Sequence, residues 1–238
     1  MKSKEVILKA KKLIGDNKLE KARELLLEEG FVSELDETVQ KAFETLMPPG
    51  ELLKDKMNGV LRLLKDPDRR LRYKSADSVR RDSLKEWSVH LKEWLADPRT
   101  TGSLIESLKD EDSKVAEAAA AALSGIIRGY FPDMRAFAPL INALKSSRKN
   151  MRLYAVLGIG SIRHKDRWEV LVTALKDSAT EVRRAACMSV VQNLHGSRID
   201  TSIKEKLRTQ LQELMLDKDG ATRRMAENAI RCLGEQHD

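Results

Sequence analysis

Apolar residues recur at three- and four-residue intervals along most of the chain, the spacing of helices that bury one face. One phrase repeats within that pattern: an apolar helix, an Asp, a short turn, an apolar anchor, an Arg, then a helix of small residues. Its clearest copy is Leu171-Val172-Thr173-Ala174-Leu175-Lys176-Asp177 followed by Glu181-Val182-Arg183-Arg184-Ala185-Ala186. A second is Leu214-Met215-Leu216-Asp217 followed by Thr222-Arg223-Arg224-Met225-Ala226. Earlier copies centre on Leu108-Lys109-Asp110 with Val115, on Leu144-Lys145-Ser146 with Met151-Arg152, and more weakly on Lys65-Asp66 with Leu71-Arg72. The anchors Leu71, Val115, Met151, Val182 and Thr222 stand 44, 36, 31 and 40 residues apart. In every copy the turn slot lies six residues before the Arg slot: 66/72, 110/116, 146/152, 177/183 and 217/223.

Such a unit is a pair of short helices. One pair cannot bury both of its apolar faces, so the pairs must stack into an all-α solenoid. The phrase L-x-D-x-x-x-x-V-R-x-x-A-A, clearest at Leu175 to Ala186, resembles the HEAT-repeat family over about residues 56–238, best from 101 onward. The resemblance implies a stack of helical hairpins with an Asp–Arg ladder between repeats. It implies little about function, because the fold hosts many jobs. Two copies depart from the pattern. Asp110 has Ala116 in its Arg slot, and Arg152 has Ser146 in its Asp slot. An Asp110–Arg152 pair across that junction is the expected compensation.

Three regions follow. Residues 1–50 lack the phrase; Val6, Leu8, Leu13, Ile14, Leu19, Ala22, Leu25 and Leu26 keep helical spacing, and Pro48-Pro49-Gly50 ends a third helix. They read as an N-terminal helical cap. Residues 51–100 hold the divergent repeat and an apolar stripe of Leu84, Trp87, Leu91, Trp94 and Leu95, read as core. Ser83 and Glu86 form a potential capping box that would split this stretch near Asp82. Residues 101–238 hold four repeats.

In the second helix of each unit, slots equivalent to Val182, Ala186, Ser189, Val190 and Asn193 are mostly apolar or small and read as core. Slots 184, 188 and 191, whose equivalents include Tyr73, Ala121, Ser124, Leu157 and Gly160, lie opposite and are expected on an inner, concave surface. Their centre is apolar (Ala121, Leu153, Leu157, Met188, Val191) and their ends carry Arg80, Arg184, Arg224 and Arg231. An apolar centre with an Arg rim has the composition of a protein interface. The expected partner is therefore a protein or peptide, held by Leu153, Leu157, Arg184, Met188, Val191, Arg224 and Arg231.

Charge adds a second expectation. The 238 residues include 44 Lys+Arg against 37 Asp+Glu, a net charge of +7. Basic clusters fall in turns, and Arg148, Lys149, Arg163, Lys165 and Arg167 are expected to gather into one edge that would take nucleic acid without sequence preference. Aromatic residues are only 4% of the chain, against a β fold, and no apolar run reaches the ~18–20 residues of a membrane span. Two cysteines, Cys187 and Cys232, make no disulfide framework, and a reducing, cytoplasmic setting is the simplest reading. The four histidines, His90, His164, His195 and His237, include no i, i+4 metal pair, and no phosphate loop is present. Neither cofactor nor catalysis is expected. HEAT-type DNA glycosylases are the remote exception, but Trp87 and Trp94, flanked by Asp82 and Asp97, do not reproduce their adjacent Trp pair followed by Asp.

Overall fold

The computed structural model describes residues 57–83, 97–129, 132–194 and 199–234, with Lys9, Lys12, Leu13, Lys21, Leu25 and Leu95. Most of the N-terminal cap, Trp87, Trp94, Glu86 and three of the four histidines therefore lie outside the described residues.

The described chain is helix after helix, with no strand among the described residues. A helical stretch at 57–63 precedes α1 (Arg69–Asp82). Then come α2 (Pro98–Ser107), α3 (Ser113–Gly129), α4 (Phe137–Ala143) and α5 (Lys149–Ser161). The rest are α6 (Arg167–Ala174), α7 (Thr180–Leu194), α8 (Thr201–Leu214) and α9 (Gly220–Gly234). They pair as five hairpins, which are the five units of the sequence pattern. The architecture is an all-α solenoid.

Local chemistry sets the helix ends. Asp68 caps α1 by accepting from the Arg70 amide at 2.8 Å, and Asp97 does the same for α2 through Arg99 with Pro98 in the first turn. Asp112, Asp200 and Asp219 cap α3, α8 and α9. α4, α5 and α6 differ: Ala136, Arg148 and Asp166 stand at their N-caps and make no side-chain cap bond. α1 ends at Asp82 as expected, and the Ser83 hydroxyl donates back to the Arg80 carbonyl.

The second helices α1, α3, α5, α7 and α9 stack one on the next as a continuous layer, and α3, α5, α7 and α9 are each backed by the first helix of their own unit. Small residues make that layer tight. Ala116 and Ala118 to Ala122 are buried along α3. A Cβ on Gly160 of α5 would stand 2.5 Å from Ser189 Oγ and 2.6 Å from Ser189 Cβ on α7, so only glycine fits that crossing. The buried apolar side chains fall into two clusters that meet at α5. Met151, Ala155 and Ile159 serve the N-terminal cluster, and Val156 serves the C-terminal one.

Candidate partner-binding surfaces

The Asp and Arg slots meet as a ladder, in a definite direction. Arg72 forks onto Asp110 of the next unit (Nε–Oδ2 2.7 Å, Nη2–Oδ1 3.0 Å). Arg152 does the same to Asp177 (2.7 and 2.9 Å), and Arg183 reaches Asp217 at 2.7 Å. The third nitrogen, Nη1, turns back to the carbonyls of the Arg's own turn. Arg72 bonds Asp66 and Pro67, Arg152 bonds Ser146 and Ser147, Arg183 bonds Asp177 and Ser178, and Arg223 bonds Asp217 and Lys218. This explains the six-residue spacing: the guanidinium closes its own hairpin turn while bridging to the next.

The expected Asp110–Arg152 pair is not formed. Each Arg looks forward to the following unit, so Asp110 belongs to Arg72 and Arg152 to Asp177. Ala116 and Ser146 are the two halves of a single absent rung, the one between units two and three. Ser146 still closes its own turn. Its hydroxyl accepts from the Arg148 amide at 3.2 Å, as Asp66, Asp110, Asp177 and Asp217 accept from the amides two residues on. At its far end this junction has a different tie. Thr101 donates to Asp133 at 2.8 Å, and Arg135 donates to Asp133, to Thr101 and to the Pro98 carbonyl. The Arg135 guanidinium, opposed by burial and helped by Thr101, holds the Asp133 carboxyl down at about 2.

On the second-helix surface, Leu153, Leu157, Arg184, Met188 and Val191 are half-buried, while Arg224 and Arg231 are exposed. Leu153, Leu157 and Val191 pack against the C-terminal core cluster with part of their surface. Arg184 faces Asp219 at 3.5 Å, and Arg231 donates to Asn228 at 2.7 Å. Ala121, Ser124 and Gly160, expected beside them, are buried instead, because the second helices approach too closely to leave those slots open. Tyr73, the unit-one equivalent of slot 184, is exposed as its slot requires; Met134, Met215, Leu216 and Met225 are exposed apolar residues that the slot analysis did not single out, and Leu216 is 87% exposed.

The five residues expected to form one basic edge do not come together. Arg148 and Lys149 stand at the start of α5, and Arg163, Lys165 and Arg167 follow its end. The helix has 13 residues and spans about 20 Å. Lys149 pairs with Glu181 at 2.6 Å. Arg167 is buried over the Trp168 ring at 4.8 Å, and burial pulls its pKa down. Only Arg163 and Lys165 of the second group are open to solvent.

Other reactive side chains have structural surroundings. Cys187 is buried, which pushes its thiol up to about 12 and away from nucleophilic use. His164 stacks on Phe137 at 3.9 Å and accepts from the Asp166 amide. Among the described residues, no three His, Cys, Asp or Glu side chains are grouped to hold a metal, and no helix is long and apolar enough to cross a membrane.

Residues 137–231 match the family model for HEAT repeats. No curated protein matches the chain. Solved structures of repeat proteins share the fold. A crystal structure of an engineered protein aligns at a TM-score of 0.64 with 19% identity, over 87% of this chain and 96% of that one. A designed armadillo repeat protein in complex with the peptide (KR)4 aligns at 0.63 with 16% identity, over 87% and 98%. A computationally designed armadillo repeat protein for modular peptide recognition aligns at 0.61 with 17% identity, over 87% and 98%.

Proposed function

The chain belongs to the HEAT-repeat family through residues 137–231, and on that premise we propose that it is a non-catalytic scaffold that binds a protein or peptide along its second-helix surface. The observation that carries this is the continuity of the surface. α5, α7 and α9 stack without a gap, and Leu153, Leu157, Met188 and Val191 run across them toward the exposed Arg224 and Arg231. Half-exposed apolar side chains supply contact area, and the Arg rim supplies orientation and on-rate. The designed armadillo proteins use a similar fold for peptides, one of them for (KR)4. Here Arg184, Arg224 and Arg231 would repel such a basic ligand, so the ligand we infer is apolar with acidic flanks.

The test is affinity capture with the wild-type chain and two variants. Leu157→Asp with Met188→Asp removes the apolar centre. Arg224→Glu with Arg231→Glu reverses the rim and changes only exposed side chains, so the stack stays folded. Both variants are expected to lose at least tenfold in partner affinity; full retention by both overturns the reading. A labelled random DNA duplex titrated at about 50 and 200 mM salt tests the rival nucleic-acid reading. Tight binding that collapses with salt would replace the peptide proposal.

A further inference from the structure

The junction that lacks its rung also carries a cleft. It lies between the first helices of units two and three, with a volume of about 250 Å³. Ile105, Leu108, Pro139, Ala143 and Met151 form its apolar walls, and Lys109, Asn142, Ser146 and Arg148 its polar lining. No acidic residue lines it, although Lys109 and Arg148 do. Arg148 is the telling group. Its Nη1 is buried without a hydrogen-bond partner. Glu117, the carboxylate that faces it, stands 3.9 Å away, beyond hydrogen-bond reach, and takes a hydrogen bond from Asn150 instead. A buried guanidinium N–H left unbonded costs the free energy of its lost hydration. At the other three junctions the turn supplies a carboxylate to an Arg; here Ser146 supplies none.

We propose that this cleft is a second binding site, separate from the second-helix surface, for an acidic side chain of a partner peptide. The carboxylate pairs with the partly exposed Arg148 side chain and with Lys109, and an adjacent apolar residue of the peptide lies against Met151 and Ile105. The volume sets the class of ligand. It is below the ~300–1,000 Å³ of pockets that enclose drug-sized molecules, and suits one side chain with its neighbour. The site does not depend on the peptide reading of the second-helix surface, and the two fail independently.

The probe is N-acetyl-Leu-Glu-amide, titrated into the full chain carrying methyl-labelled Met and Ile and followed by NMR. The neutral control is N-acetyl-Leu-Gln-amide. The expected result is a saturable shift of the Met151 and Ile105 methyl groups with the Glu probe, and at least tenfold weaker binding of the Gln probe, the size of a lost charge-assisted bond. Arg148→Gln weakens the Glu probe to the level of the Gln probe. Ser146→Asp abolishes binding, because the chain's own carboxylate then occupies the cleft. Leu157→Asp with Met188→Asp leaves the titration unchanged, which separates this site from the other surface. Equal binding of the two probes, an unaffected Arg148→Gln, or shifts confined to Met188 would overturn the proposal.

Discussion

One device, a guanidinium that reaches forward, joins the turns of three pairs of successive units. Arg72, Arg152 and Arg183 each close their own turn and seize the next one, and the side chains in these rungs are only 6% to 13% exposed. Removing one partner strands a charge in a nearly dry site. Asp177→Ala or Asp217→Ala is therefore expected to destabilise the protein by about 3–5 kcal/mol in urea unfolding. Arg223→Ala should cost under about 1 kcal/mol, since Arg223 is exposed and its hydrogen bonds go to the carbonyls of its own turn. Equal losses for the three variants would refute the forward register. Asp133 makes the pH prediction. Its folded pKa is about 2, against an ordinary 3.8. The unfolded chain thus binds the proton more readily, and the stabilisation is complete above about pH 5 and disappears as pH falls from there toward 2. Its size is on the order of 1–2 kcal/mol after discounting for the half-exposed Arg135. Asp133→Asn should flatten the acid limb of a stability–pH curve by that amount and leave the neutral region parallel to wild type.

At the level of helices, close approach is the recurring device, and the glycines of α5 rank its tightness. A Cβ on Gly160 meets Ser189 Cβ, which sits next to the α7 backbone and cannot retreat. A Cβ on Gly158 meets Leu140 Cδ1 at 2.8 Å, the far end of a side chain that can turn away. Gly160→Ala should therefore lower the melting temperature clearly, by the equivalent of about 1–3 kcal/mol, and Gly158→Ala by less. The reverse order would show that the α5–α7 crossing has slack. Much of this is legible in the residues. The repeated phrase locates the hairpins, their turns and the core slots Val182, Ala186, Ser189 and Val190. The direction of the rungs is not legible from spacing within a copy, because that spacing reports only the bond from Arg Nη1 to its own turn. A clue lies between copies: Ala116 and Ser146 depart from the pattern together, which a forward register requires and an Asp110–Arg152 pair does not explain. The surface slots rest on helical periodicity alone. Periodicity carries no information about the next helix, so it puts Ala121, Ser124 and Gly160 on an open face that α1, α5 and α7 in fact cover.

Across the whole molecule, stability is a sum over neighbours, since each unit touches little beyond the units on either side. The junction between units two and three is the one internal junction among the described units without a buried ion pair at its turn end. Installing both halves, Ala116→Arg and Ser146→Asp, should show favourable coupling of about 0.5–3 kcal/mol in a double-mutant cycle. Ala116→Arg alone should be harmful, because Ala116 is fully buried and the new charge would have no partner. Additive or antagonistic effects would mean that the helices at this junction are spaced for the cleft and cannot accept a rung.

The forward rungs also make the units unequal as exchangeable parts. Excising the fourth unit would bring Arg152 to Asp217 and leave an unbroken ladder. Excising the second alone would bring Arg72 to Ser146, and excising the third alone would bring Ala116 to Asp177; either cut orphans a charge. Removing the second and third together would join Arg72 to Asp177 and heal the seam. In the grammar of duplication and deletion, these two units form one word, and the chain can lose or copy them only as a pair.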